Sequence, residues 1–156
     1  SGEDLAGQEQ VRVFESVRAA AEFLRTTEGN ILITTGSKEL KEYTKIGNYQ
    51  ERCFARVLST KAAVEESVRL GFEGKHLIAM QGPFSEEMNL ALLHQTRARY
   101  FVTKESGKAG GFEEKLKAAK NAGAVLIVIG RPQEIGRSVQ EVCHFIESSF
   151  VKKEQE

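Results

Sequence analysis

The sequence predicts an open α/β fold, a mostly parallel sheet of about five strands flanked by helices in the Rossmann or flavodoxin manner. Three observations lead there. Short apolar runs alternate along the chain with segments of helical period. The runs are continuously apolar rather than alternating, which marks strands buried on both faces, as in a parallel sheet. The connections are short, with no internal repeat and no low-complexity linker. The 156 residues therefore read as a single domain, 1–156, long enough to bury a real core.

Each element has its own signal. Ser16 caps a helix whose apolar face is Val17, Ala20, Ala21 and Leu24. The first strand covers residues 31–35 (ILITT) and stops at Gly36. A second covers 52–58, with Cys53, Phe54, Val57 and Leu58 as its apolar members. Thr60 caps the next helix, which ends at Leu70 with Gly71 as a left-handed stop. The third strand is 76–80 (HLIAM). Ser85 caps a helix that carries Glu86 and Glu87 in its first turn, where the macrodipole favours acids, and runs to about Arg97. The fourth strand is 100–103 (YFVT). Phe112, Leu116 and Ala119 share one face of the following helix, which ends at Gly123. The fifth strand, 125–129 (VLIVI), is the clearest. Ser138 and Glu141 form a capping box before a last helix, and the polar tail VKKEQE frays.

Composition narrows the function. Basic and acidic residues balance at 22 each, which argues against wholesale binding to nucleic acid or anionic membrane. No apolar run approaches the roughly 20 residues of a membrane span, and no segment reads as a signal peptide, so a cytoplasmic protein is expected. The opening Ser1 and Gly2 read as the remnant of a cleaved tag. Cys53 and Cys143 lie far apart in unrelated contexts and read as reduced core thiols. The scattered histidines have no ligand spacing, so no metal site is expected. Asp4 is the only aspartate, which removes a Walker-B pair, an EF-hand loop and a Ser-His-Asp triad.

In an open α/β sheet, ligands bind beyond the carboxyl ends of the strands. Four exits here place glycine beside hydroxyl, amide or cationic groups. They are TTGSKEL, QGPFSEEMN, TKESGKAGG and GRP. Glycine lets a ligand approach the backbone, and helix N-termini offer free N–H groups to an anion. Known nucleotide fingerprints are absent: Gly107 and Lys108 are followed by Ala109 rather than Ser or Thr, and no G-x-G occurs. Neither Ser37 nor Ser106 has a histidine nearby in sequence, and His94 falls inside a helical pattern. The residues by themselves thus indicate an anion-binding α/β domain and leave the anion unnamed.

Taken in order, TTGSKEL, ARVLST, AMQGPFSEEMN, VTKESGKAGGFEEKLKAA and VIGRP resemble the C-terminal half of the precorrin-6A reductases (cobalt-precorrin-6A reductases) of cobalamin biosynthesis, a branch of porphyrin biosynthesis. The resemblance covers residues 31–132. It implies an NAD(P)H-dependent oxidoreductase, with NADPH or NADH as cofactor, that reduces one double bond of precorrin-6A, or of cobalt-precorrin-6A, to give precorrin-6B. Family members resemble a pair of α/β domains with the active cleft between them. The GGT-like and HPFA-like motifs of the first domain are missing here, so the chain looks like the second domain, needing an N-terminal domain or partner chain. Smaller departures are Ser59, where proline is common, and Glu105, where aspartate is common.

Carried over, the resemblance implies an anion turn of Thr35, Gly36, Ser37 and Lys38. It implies a cleft shaped by Gln81, Gly82, Pro83, Phe84 and Ser85, and a long loop of Lys104, Ser106, Gly107, Gly110 and Gly111. Arg131 would pair with a carboxylate or phosphate. No residue stands out as catalytic. Two other readings compete. One is a non-catalytic nucleotide- or tetrapyrrole-binding module that acts with a partner chain. The other is a flavodoxin-like flavin domain, disfavoured by the absence of tryptophan and the scarcity of tyrosine.

Overall fold

A computed structural model describes residues 10–105 and 111–131. Six parallel strands form one sheet: β1 Val11–Phe14, β2 Asn30–Ile33, β3 Cys53–Val57, β4 Leu77–Ala79, β5 Ala98–Lys104 and β6 Val125–Ile129. Their order across the sheet is β1-β6-β5-β2-β3-β4. The α/β class and the parallel sheet follow the sequence expectation. The additional strand is β1, VRVF, which pairs in register with β6 from Val11 opposite Leu126 to Phe14 opposite Ile129. Its one charged residue, the exposed Arg12, interrupts the apolar run and suits an edge strand.

Among the described residues, five α-helices accompany the strands: α1 Val17–Leu24, α2 Tyr49–Arg52, α3 Lys61–Arg69, α4 Glu86–Thr96 and α5 Phe112–Ala122, with 3₁₀ turns at Leu40–Lys45 and Gly74–His76. The expected caps are in place. Ser16, Thr60 and Ser85 each accept from the backbone N–H three residues on, those of Ala19, Ala63 and Met88. Gly71 and Gly123 sit at φ +98° and +70°, where a residue with a side chain would be strained. The capping box at Ser138 and Glu141 lies outside the described residues.

Two cores flank the sheet. On one face Val17, Ala20, Ala21 and Leu24 of α1 pack with Leu40 and Tyr43 against Ile31, Ile33, Val102 and Ile127. On the other, Leu93 of α4 and Phe112, Leu116 and Ala119 of α5 pack against Leu32, Phe101, Leu126 and Val128. The split follows the period of two along each strand. It also fixes the geometry of the site. From β2 the chain proceeds toward β3 and β4 over the first face, whereas from β5 it turns back toward β6 over the second. β2 and β5 are neighbours, so their carboxyl ends form the topological switch point at which such sheets bind ligands.

Candidate functional site at the carboxyl edge of the sheet

An open cleft of about 600 Å³ lies at this edge. Its floor is the end of β6, Ile129 and Gly130, and the end of β5, Lys104 with Glu105. One wall is the β1 exit and the start of α1, from Glu15 to Val17. Glu39, beyond β2, and Lys115, on α5, close the other sides. Backbone bonds hold the floor together: Glu105 N–H donates to the Ile129 carbonyl at 3.0 Å and Gly130 N–H to that of Phe14 at 2.9 Å. At the switch point, the backbone N–H and hydroxyl of Thr34 both donate to the Val102 carbonyl, at 3.0 and 2.6 Å.

The cleft is ionic. Lys104 Nζ stands 2.8 Å from Glu39 Oε2 and Lys115 Nζ 2.7 Å from Glu105 Oε1. The pairs differ in character. Glu105 keeps only 7 % of its side chain exposed, and Lys115 donates it an aligned hydrogen bond. Lys104 and Glu39 are about half exposed, and the buried Oε2 of Glu39 meets the ammonium as a charge contact without hydrogen-bond alignment. The first pair is a fixed brace between β5 and α5. The second is a weak association that a competing anion can replace.

The residues expected from the sequence take different places. Lys104 lines the cleft, and exposed Arg131 follows Gly130 at its rim. Gly36 at φ +91° and Gly111 at +86° require glycine for conformation, and open space lies where a Cβ would stand. Gly111 precedes α5 and offers no side chain to the free N–H groups of its first turn. Thr35, Ser37 and Ser85 have structural work. The Thr35 hydroxyl bonds the buried Tyr43 hydroxyl at 2.8 Å, the Ser37 carbonyl accepts from Leu40 N–H, and Ser85 caps α4. Lys38 is exposed. Gln81, Gly82, Pro83 and Phe84 follow β4 at the far edge strand and do not line the cleft. Ser106, Gly107 and Gly110 lie outside the described residues.

Sequence reasoning missed Glu15, Glu39, Glu105 and Lys115 as members of the site. Nothing local marks them, since Glu105 and Lys115 are ten positions apart in the sequence. His94 is an exposed position on α4, Cys53 is a buried free thiol, and the described residues contain no group of His, Cys, Asp and Glu side chains able to hold a metal.

A family model described as "Precorrin-6x reductase CbiJ/CobK" matches residues 2–147. The chain belongs to this family. Similar proteins include a cobalt-precorrin-6A reductase of Priestia megaterium, 40% identical over 131 residues that make up 80% of this chain and 51% of the relative. A cobalt-precorrin-6A reductase of Salmonella typhimurium is 38% identical over 117 residues, 75% of this chain and 44% of the relative. Among solved structures, "CobK precorrin-6A reductase" superposes with a TM-score of 0.60 at 21% identity, covering 81% of this chain and 48% of that one, a likeness of fold. The chain thus spans about half the length of the relatives it matches in the precorrin-6x reductase family. No helix among the described residues is long and apolar enough to cross a membrane.

Proposed function

We propose that this chain is the C-terminal half of an NAD(P)H-dependent precorrin-6A reductase, acting on precorrin-6A or its cobalt form, and that the carboxyl-edge cleft is its contribution to the active site. The observation that carries the reading is the coincidence of family membership with a polar cleft at the carboxyl edge of the sheet, over the ends of β1, β6 and β5 and beside the switch point. The relatives are cobalt-precorrin-6A reductases by name. Precorrins bear many carboxylates and the cofactor bears phosphates, so the site must receive polyanions.

The residues fit such groups through backbone and cation together. Gly36 and Gly111 leave room for close approach, and the uncapped start of α5 presents N–H donors. Lys104 supplies a charge that is only loosely engaged by Glu39. The cleft's charged lining counts Lys104 and Lys115 against Glu15, Glu39 and Glu105 and is therefore not cationic by itself. An incoming anion gains a partner by taking Lys104 from Glu39. When bound, a reduced nicotinamide supplies the hydride. The chain's own part is to seat the anionic groups, with Glu105 and Lys115 holding β5 and α5 in fixed relation. The proton required at the second carbon comes from solvent or from the N-terminal half.

The test is turnover by the full-length protein that contains this sequence. Supplied with NADPH and cobalt-precorrin-6A, it should yield a product heavier by two hydrogens, while this chain alone should be inactive. Failure of the full-length protein to reduce either precorrin-6A form with either nicotinamide would overturn the proposal.

A further inference from the structure

Away from the cleft, a buried cation has no carboxylate partner among the described residues. Along β3, Cys53, Ala55 and Val57 face one core while Phe54 faces the other. Arg56 shares the side of Phe54 and is only 6 % exposed. Its Nη1 donates to Asn89 Oδ1 at 2.6 Å, and its Cζ lies 3.6 Å from the centre of the Phe84 ring. Among the described residues no carboxylate pairs with it. Glu86 and Glu87, which flank this contact on the first turn of α4, make no ion pair with Arg56. A guanidinium has five N–H donors, and the bond to Asn89 uses one. Burial draws its pKa down to about 10, which leaves it charged at neutral pH.

A buried charge without its opposite is unfavourable. Arg56 is therefore poorly explained by stability alone. Its surroundings explain it better. Phe84 stands on the turn after β4, whose Gln81, Gly82 and Pro83 are exposed. The ring folds over Gly82 so closely that a Cβ there would stand 3.1 Å from Phe84 Cε2. An aromatic ring on an exposed turn thus lies over the face of the guanidinium, at the same carboxyl edge as the cleft.

We propose that Arg56 is a receptor for a carboxylate of a small-molecule ligand, taken in fork-to-fork geometry when Phe84 swings aside. The receptor stands on Arg56 and its neighbours, and only the identity of a carboxylate-rich tetrapyrrole as the ligand rests on the reductase reading. In that reading Arg56 anchors one substrate carboxylate at β3 while the cleft holds the rest of the ligand beside β5.

Two experiments test this. In the first, sodium propionate is titrated into the wild-type chain against a chloride control, and the Arg56 Nε–H signal is followed by NMR. A saturable shift specific to propionate is expected, and its absence would overturn the receptor. In the second, uroporphyrin, a polycarboxylate tetrapyrrole, is titrated against wild type, Arg56→Met, Arg56→Lys and Phe84→Ala. Arg56→Met should weaken binding at least about tenfold, and it should also lower Tm, because buried Asn89 Oδ1 loses the donor it has in Arg56. Arg56→Lys should retain part of the affinity, and Phe84→Ala should bind faster. Wild-type affinity in Arg56→Met would make Arg56 a structural residue and refute the proposal. A propionate response without any uroporphyrin binding would keep the receptor and remove the tetrapyrrole.

Discussion

The loosely held pair of Lys104 and Glu39 leads to a prediction in which two neighbouring substitutions act in opposite directions. Both side chains are about half exposed, and the 2.8 Å contact lacks hydrogen-bond alignment. Exposed pairs of this kind contribute about 0–1 kcal/mol. Lys104→Ala and Glu39→Gln should therefore each change stability by no more than about 1 kcal/mol. Their effects on ligand differ. If a phosphate or carboxylate takes Lys104, removing the ammonium deletes a charge-assisted contact of about 1.5–3 kcal/mol, roughly a tenfold to hundredfold loss of affinity. Glu39→Gln removes the competitor instead, and affinity should rise by up to about fivefold, the equivalent of about 1 kcal/mol. Calorimetric titration of NADPH into the three proteins at low salt checks this, with unfolding curves as control. Wild-type affinity in Lys104→Ala would refute the seat at Lys104. A Glu39→Gln protein as weak as Lys104→Ala would make Glu39 a contact rather than a competitor.

Other expectations follow from the same structure. Gly111→Val should weaken NADPH binding and lower stability together, because φ +86° disfavours a β-branched residue and the side chain would occupy open space before α5, with circular dichroism and titration as the readouts. Leu126→Ala, at a fully buried position on β6, should destabilise by about 2–5 kcal/mol in urea. Stability should fall at alkaline pH. Burial raises the Cys53 thiol from 9.0 to about 12 and raises Tyr43 above its ordinary value too, so both favour folding while neutral. The Cys53 contribution is complete below about pH 9 and is lost as pH rises toward 12, at up to about 1.4 kcal/mol per pH unit, and that of Tyr43 begins to be lost only above its ordinary value of 10.0. Cys53→Ala should flatten this limb in pH-dependent unfolding, and an unchanged limb would contradict it.

What was legible in the sequence was whatever one segment can encode. Clusters of apolar residues betrayed β2, β3, β4, β5 and β6, and the caps at Ser16, Thr60 and Ser85 marked helix starts that the structure keeps. β1 escaped because an edge strand needs only partial burial, so Arg12 sits among its valines and packs over Phe23 instead. Among the described residues, the glycine-bearing exits follow the carboxyl ends of their strands. They did not reveal which exits converge, since that depends on strand order. β4 lies at the far edge, so QGPFSEE stands apart from the cleft, whereas β1 brings Glu15 and Ser16 into it. Glu39, Glu105 and Lys115 gain meaning only through pairing across elements. Arg56 reads as an ordinary residue of ARVL until Phe84 and Asn89 close around it.

The central claim is that this chain carries a ligand site at the carboxyl edge of the sheet, where β5 and β6 end. Backbone amide NMR of the labelled chain, titrated with NADPH, tests it most directly. The account predicts saturable shifts concentrated at Gly36, Glu105, Gly111 and Gly130, with the opposite edge of the sheet unmoved. Shifts confined to that opposite edge, or none at all from a folded chain, would contradict it.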